Sequence, residues 1–217
     1  MAAFTDLGDD YFFGGAPMGD RITTVDELYA LANTTTVAQD IYNALELMES
    51  RARVCDVSPI TFVPLIVSAL KKFFPTATTL LEVGAGKGLI ARLVSLELPD
   101  LKVIATDIEI KAPTCAVEKK DAVTAVTEHK GGVLLIVWPT PAPWTHEALK
   151  AADVEGLIYI GCEDAGCDTA SDMFYDMLAS DWKCKIQVNP RTQWQEYENP
   201  PVLCVFKRRA DSGSIGQ

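Results

Sequence analysis

The residues with the clearest chemical potential form a glycine-rich turn between an apolar run and a helix-like stretch. Glu82 precedes this turn, which then carries glycine at every second position, at Gly84, Gly86 and Gly88. Glycines let the backbone pass close beneath a ligand because they have no Cβ. The segment therefore predicts a binding site for a small molecule.

Two nucleotide-binding alternatives compete for the same turn. A phosphate-cradling loop needs glycine at position 81 and Ser or Thr after Lys87, and the sequence has Leu81 and Gly88 there, which excludes it. The dinucleotide fingerprint G-x-G-x-x-G needs its third glycine where Leu89 stands, which argues against this motif without eliminating it. What remains is Glu-x-Gly-x-Gly-x-Gly, or a plain tight turn of another doubly wound fold.

The remaining pattern resembles the first motif of the class I S-adenosylmethionine-dependent methyltransferases. The resemblance implies S-adenosylmethionine as the cofactor, with Glu82 complementing its cationic groups. Asp107 follows the next predicted strand, where both this family and dinucleotide folds bind ribose hydroxyls. Asp121, in the Asp-Ala after the third strand, would accept from the adenine amino group, and its alternative is a helix N-cap. The implied cofactor-binding residues are Glu82, Gly84, Gly86, Gly88, Asp107 and Asp121.

A proline-rich segment follows the fourth predicted strand and would form the acceptor side. It occupies the place where amine-methylating members often carry Asn/Asp-Pro-Pro and an aromatic residue. Here Trp138 stands at the Asn/Asp position, so the direct amine-activating role does not carry over. We expect Trp138, Pro139, Thr140 and Trp144 to bind the substrate, because prolines stiffen the loop and indoles attract a flat or cationic acceptor. Simple packing of the two indoles is the alternative.

Candidate catalytic groups are few. Glu163 comes just after the fifth predicted strand and should face the substrate crevice, so it is the preferred acid. His146 is a candidate base, as is His129, and an ordinary surface position is the alternative for both. Methyl transfer is an in-line displacement, so positioning alone can supply much of the catalysis. Cys162 and Cys167 have no second Cys/His pair at finger spacing, so no metal site is expected.

The elements that must position these residues begin near Thr78, where short apolar runs start to alternate with helix-like stretches. Such alternation predicts a parallel sheet covered on both faces. The predicted strands are Thr79–Val83, Val103–Thr106, one starting at Cys115, Val133–Val137, Leu157–Ile160, and an antiparallel pair, Trp182–Val188 and Pro201–Lys207. The predicted helices are Gly88–Leu98, Asp121–Glu128, Thr145–Ala151 and Thr169–Ala179, the last with a Thr169-x-x-Asp172 capping box.

The resemblance implies a definite architecture for these elements. It is an α/β, doubly wound, mostly parallel seven-stranded sheet in the order 3-2-1-4-5-7-6, with strand seven antiparallel. An N-terminal helical cap completes the implied fold. The apolar stripes of the first 75 residues are too narrow to enclose a core among themselves, so these helices must bury against the sheet domain. We expect an arm and helical cap at residues 1–75, a methyltransferase-like α/β domain at 76–209 and a flexible tail at 210–217.

The composition and net charge of the chain limit the kinds of partner that it can bind. The 217 residues are 48% hydrophobic and 23% charged, as in an ordinary globular domain. A net charge of -11 repels phosphate backbones, so nucleic acid is disfavoured. Residues 1–50 hold nine acids against Arg21 alone, and residues 151–181 hold eight acids with no Lys or Arg. Either these are solvated faces, or they attract a cationic substrate or partner.

The sequence also carries expectations about location. It has no basic region ahead of an apolar stretch at its start, and no apolar run near the ~18–20 residues that cross a bilayer. Its six cysteines are widely spaced, which favours reduced thiols. We therefore expect a cytoplasmic protein without membrane contact.

Three functional classes remain open from the sequence. The first is an S-adenosylmethionine-dependent methyltransferase acting on a small molecule or a protein side chain. The second is a catalytically inactive methyltransferase-like binding or scaffold domain, because Trp138 replaces the expected Asn or Asp. The third is a nicotinamide-dependent oxidoreductase, against which Leu89 argues. The sequence does not indicate the acceptor atom or the oligomeric state.

Overall fold

A computed structural model describes residues 62–110, 113–163, 169–188 and 202–209 of the chain. Within these ranges helices and strands alternate, as the apolar pattern predicted. In chain order the elements are α1 (Val63–Phe73), β1 (Thr79–Val83), α2 (Leu89–Glu97), β2 (Lys102–Asp107), β3 (Val117–Lys119), α3 (Ala122–Glu128), β4 (Val133–Val137), α4 (Trp144–Ala151), β5 (Gly156–Gly161), α5 (Asp172–Asp181), β6 (Trp182–Val188) and β7 (Val202–Arg208).

The seven strands form one sheet in the order β3-β2-β1-β4-β5-β7-β6. Strands β1 to β5 pair in parallel, whereas β7 lies antiparallel to both β5 and β6. The predicted architecture is therefore confirmed. The strand order reverses between β1 and β4, and in open α/β sheets ligands bind outside the carboxyl ends of the strands at such a point.

Each face of the sheet has its own apolar core. Leu80 is buried with residues of α1 and α2, while its neighbour Leu81 is buried on the opposite face with residues of α3, α4 and α5. This alternation follows from the two-residue period of a strand. All six residues of β5 are buried, as expected for a strand with helices over both faces.

Local sequence signals mark the start of some helices. Pro64 lies in the first turn of α1, where a missing N–H costs nothing. One predicted helix start is wrong. The sequence indicated a helix from Thr169, but α5 begins at Asp172 with Ser171 as its N-cap residue. The Thr169 hydroxyl accepts from the Cys162 amide within a buried cluster of hydroxyl groups, so it does not cap the helix.

The predicted N-terminal arm and most of the predicted cap, residues 1–61, lie outside the described residues, as do Cys167 and the predicted tail. Of residues 1–75 the structure describes 62–75, which include helix α1. Its buried side chains, Ile66 and Leu70 among them, share a core with Leu80 and Ile158 of the sheet. Among the described residues, no helix combines the length and apolar character that a bilayer span requires.

Candidate active site

The glycine turn lies at the carboxyl end of β1 and leads directly into α2. Gly84, Gly86 and Gly88 have φ angles of 68°, 55° and 72°, in the left-handed region that favours glycine. The Ala85 amide donates to the Thr106 carbonyl at 3.0 Å, which ties the turn to β2. The turn is thus held beside the end of the next strand, where the sequence predicted a ligand.

Two of these glycines are required for different reasons. A Cβ on Gly88 would lie 2.7 Å from the Cys115 sulfur and 2.8 Å from Val117, so close packing forbids a side chain there. A Cβ on Gly86 would meet no atom within 4 Å. Glycine is therefore required at position 86 only because of the positive φ. The space above Gly86 is open to a ligand.

Glu82 is buried beneath the turn. Its Oε2 accepts a hydrogen bond of 2.9 Å from the Ala91 amide, in the first turn of α2. Burial raises the pKa of the Glu82 carboxyl to about 8, the Ala91 hydrogen bond opposes this shift, and the nearby Asp107 carboxylate adds to it. Glu82 thus fixes α2 against β1, and direct contact with a cofactor stays a prediction.

Asp107 closes the turn from the end of β2. Its Oδ2 accepts from the Gly86 amide at 2.7 Å, and its Oδ1 accepts from the Glu109 amide at 2.8 Å. A carboxylate has about four acceptor positions, so both oxygens can still accept from hydroxyl groups. The structure therefore brings Asp107 and the glycine turn together, as the sequence pattern required.

Asp121 is the N-cap residue of α3. It accepts from the Thr124 amide at 2.9 Å and from the Thr124 hydroxyl at 2.7 Å. These bonds, the backbone one first, lower the pKa of Asp121 below its usual value. The capping alternative from the sequence is thus the geometry observed, and contact with adenine stays a prediction.

The proline-rich loop after β4 faces the glycine turn across the switch point. Trp138 is 36% exposed and has φ 48°, an unusual conformation for a bulky residue. The Trp144 indole nitrogen donates to the Thr140 hydroxyl at 3.1 Å. The Trp144 ring also covers Gly84, where a Cβ would lie 3.3 Å from it. Trp144 therefore joins the loop to the turn.

Glu163 and His129, two of the candidate catalytic groups, have separate hydrogen-bond partners. Glu163 follows β5, and its Oε1 accepts from the Gln187 side chain of β6 at 2.8 Å. His146 is half-buried in the first turn of α4. Among the described residues, no hydrogen bond joins His146 to Glu163 or to the glycine turn. His129 belongs to another edge of the sheet, where its Nε2 lies 3.1 Å from Glu118 of β3. The described ranges also contain no group of three His, Cys, Asp or Glu placed to hold a metal ion.

Sequence reasoning missed two sets of contacts near the site. Thr114 donates to the Lys87 carbonyl through both its amide and its hydroxyl, at 2.8 Å and 3.0 Å, and so braces the back of the turn. A buried group of hydroxyls also joins β5 to α5. Tyrosine in the middle of an otherwise aliphatic strand, at Tyr159, is the one signal that could have indicated the second set.

Comparison with known proteins bears on the fold. No protein-family model and no curated protein matches the chain. Among solved structures, a putative O-methyltransferase from Klebsiella pneumoniae matches with a TM-score of 0.53 at 12% identity, over 85% of this chain and 96% of that one. The plantazolicin methyltransferase BpumL, solved with SAH, matches with a TM-score of 0.49 at 13% identity, over 85% and 100%. The 23S rRNA methyltransferase ErmE matches with a TM-score of 0.47 at 16% identity, over 74% and 72%.

At these identities the likeness concerns the fold alone. The sheet order, the antiparallel β7 and the Klebsiella pneumoniae structure identify this architecture. The chain has the fold of the class I S-adenosylmethionine-dependent methyltransferases.

Proposed function

We propose that this protein is an S-adenosylmethionine-dependent methyltransferase acting on a small molecule or a protein side chain. The observation that carries the proposal is the left-handed glycine turn closed by Asp107 at the switch point of this fold. The open space above Gly86 fits a ligand that approaches the backbone closely. The Asp107 carboxylate beside the turn favours a ligand that carries positive charge.

The residues around the turn have distinct roles in this proposal. Gly84, Gly86 and Gly88 shape the cradle, Asp107 accepts from ribose hydroxyls, and Asp121 accepts from the adenine amino group. When bound, S-adenosylmethionine supplies a methyl group on an electrophilic sulfonium. The protein's task is then to hold the acceptor in line and to exclude water, which is positioning chemistry.

The acceptor side of the proposal consists of the loop after β4 and the residue after β5. Trp138, Pro139, Thr140 and Trp144 line the approach, and Trp138 is exposed enough to touch a ligand. An indole attracts a cation or a flat ring by about 0.5–2 kcal/mol. Glu163 and His146 are the groups that would remove a proton from the acceptor. The net charge of -11 supports a cationic or neutral acceptor over a nucleic acid.

A calorimetric titration with S-adenosylmethionine, S-adenosylhomocysteine and NAD in parallel tests the cofactor. The two sulfur compounds should bind and NAD should not, and binding of NAD alone would replace the proposal with an oxidoreductase. Gly86→Ala should lose cofactor affinity because its Cβ enters the open space. Gly131→Ala is the matched control, since Gly131 also has a positive φ, 74°, with nothing within 4 Å of its Cβ position.

A second candidate function is that of a binding domain with the same fold that binds its ligand without catalysing methyl transfer. Trp138 favours it, because an indole cannot accept a hydrogen bond from a substrate amine as an Asn or Asp oxygen does. Incubation with S-adenosylmethionine and a panel of amines, phenols and carboxylic acids separates the two candidates. Formation of S-adenosylhomocysteine with any acceptor supports the enzyme, whereas binding of S-adenosylmethionine without product supports the binding domain.

A further inference from the structure

A cluster of buried hydroxyl groups lies between β5 and α5, beside the acceptor-side loops. It consists of Tyr159, Thr169 and Tyr175, each at most 4% exposed. The Tyr159 hydroxyl lies 2.9 Å from the Thr169 hydroxyl and 2.8 Å from the Tyr175 hydroxyl. Buried polar groups are costly unless they are paired, so three hydroxyls inside an apolar core point to a specific structural task.

The Thr169 carbonyl favours one direction for the hydrogen bonds of this cluster, because a carbonyl can only accept. The Cys162 amide donates to the Thr169 hydroxyl at 2.8 Å, and the Tyr175 hydroxyl donates to the Thr169 carbonyl at 3.0 Å. Each hydroxyl has a single proton. When Tyr175 gives its proton to the Thr169 carbonyl, or to the Cys162 carbonyl at 3.4 Å, Tyr159 donates to Tyr175 and Thr169 donates to Tyr159. Burial also raises the pKa of the Tyr159 phenol well above its usual value, so this proton stays in place.

The chain of hydrogen bonds ends on a peptide group that also holds the acceptor-side loop. The Thr169–Ala170 peptide accepts from Tyr175 at its oxygen, and its nitrogen donates to the Pro139 carbonyl at 3.2 Å. Bonds at the two ends of one peptide polarise each other and fix its orientation. Without the Tyr175 hydroxyl, this peptide could rotate and release Pro139.

Two strained backbone positions lie beside the Thr169–Ala170 peptide. Among the described residues, the non-glycine residues with positive φ are Trp138, at 48°, and Ala170, at 55°. They flank the bond between Pro139 and the Thr169–Ala170 peptide, and the Trp138 amide is held by the Ile160 carbonyl at 2.7 Å. Left-handed conformations cost roughly 1–2 kcal/mol each for such residues and persist only where the surroundings over-determine them.

We propose that Tyr175 is a positioning residue that holds the Trp138–Thr140 loop in its strained shape through the Thr169–Ala170 peptide, so that the acceptor side is formed before an acceptor arrives. That this loop contacts the methyl acceptor rests on the proposed function. The mechanical link between Tyr175 and the loop does not, because it follows from the hydrogen bonds alone.

Residue-resolved amide hydrogen exchange on the full chain tests the link. Tyr175→Phe keeps the ring and removes the hydroxyl, so the Trp138 and Ala170 amides should exchange about five- to ten-fold faster, the effect of losing roughly one hydrogen bond. Amides of β1 should change by less than two-fold. Ser180→Ala is the matched control, because Ser180 also lies in α5 and its hydroxyl donates to the Met177 carbonyl, outside the cluster.

Thr169 provides a second, conservative test. Thr169→Val removes the acceptor of the Cys162 amide, so that amide should exchange faster. Trp138 should stay within two-fold of the wild type, because Tyr175 donates to the Thr169 backbone carbonyl, which the variant keeps. Thr169→Ser retains the hydroxyl and should keep wild-type exchange at both amides. If Tyr175→Phe accelerates β1 and Trp138 by the same factor, or leaves Trp138 unchanged, the hydroxyl only supports the core and the proposal is wrong.

Parallel titration with S-adenosylhomocysteine separates this proposal from the proposed function. The Tyr175→Phe variant should bind it with wild-type affinity, within two-fold, because the cluster does not touch the glycine turn. A large loss of affinity in this variant would overturn the assignment to the acceptor side. Failure of the wild type itself to bind would overturn the methyltransferase proposal, while the exchange data would still decide the role of Tyr175.

Discussion

The Gly86 amide donates a 2.7 Å hydrogen bond to Asp107 Oδ2, so the most open residue of the turn is tied to the end of the neighbouring strand. One carboxylate therefore shapes the cradle and also offers its remaining acceptor positions to a ligand. This double task makes Asp107 the most informative position to change.

Asp107→Ala should weaken S-adenosylmethionine binding by about 1–3 kcal/mol, the usual cost of leaving buried polar partners without an acceptor. Asp107→Asn retains one oxygen and should fall between Ala and the wild type. Titration calorimetry measures the three affinities, and Asp100→Ala, at an exposed acid in another loop, serves as the control. An unchanged affinity in Asp107→Ala would move the ribose contact to another residue.

The raised pKa of Glu82 should make stability depend on pH. The folded protein keeps this proton up to pH about 8, whereas the unfolded chain releases it near 4.5. The stabilisation from this group is therefore complete below pH 4.5 and falls as pH rises to about 8, by at most about 1.4 kcal/mol per pH unit. Glu82→Gln should remove this decline.

Urea denaturation between pH 5 and pH 8 measures that dependence. The slope of unfolding free energy against pH should be shallower in Glu82→Gln than in the wild type. Glu155→Gln changes an exposed carboxyl and should keep the wild-type slope. Equal slopes in the wild type and Glu82→Gln would mean that Glu82 titrates normally.

Gly88→Ala should destabilise the fold far more than Gly131→Ala. Both glycines have similar positive φ, 72° and 74°, so both variants bear the same backbone strain of roughly 1–2 kcal/mol. Only at Gly88 would the new Cβ also meet Cys115 and Val117. Overpacking adds about 1–3 kcal/mol, and thermal or urea unfolding would detect the difference. Similar losses of unfolding free energy in both variants would show that the segment with Cys115 shifts to accommodate the new Cβ without a loss of stability.

Trp138→Asn should be more stable than Trp138→Ala. Asn tolerates the left-handed backbone that Trp138 adopts, whereas Ala bears its cost, so a gap of roughly 1 kcal/mol in unfolding free energy is expected. Denaturant unfolding measures it. Turnover per folded molecule in Trp138→Ala then reports the role of the indole: loss of turnover supports acceptor binding, and intact turnover supports packing alone.

The sequence predicted the strands and the position of the glycine turn beside Asp107 because both depend on local patterns, whereas the strand order followed from the family resemblance. Short apolar runs predicted the strands, and the glycine spacing together with Asp107 predicted the turn. The start of α5 was misjudged because Thr169 fits a capping box by sequence, while its hydroxyl is used by the distant Cys162 amide and Tyr159. Partners that lie across the fold leave no trace in residue spacing.

The catalytic side was harder to predict for the same reason. Glu163 was chosen for its place after a strand, and that place is where the structure has it. Its hydrogen bond to Gln187 depends on how β6 packs, which no local pattern encodes. Asp121 shows the opposite case, since a helix cap forms within four residues and the local sequence predicts it.

The position of β7 between β5 and β6 determines the order in which the strands can pair during synthesis of the chain. Domains fold as the chain emerges from its N-terminus, and β5 is complete some forty residues before its antiparallel partner β7 appears. Until then β5, whose six residues are all buried in the finished sheet, has one row of backbone groups unpaired. Strand β7 therefore determines whether this edge of β5 is covered in a newly made molecule, and a ribosome that stalls before Val202 leaves a chain prone to aggregate through that open strand.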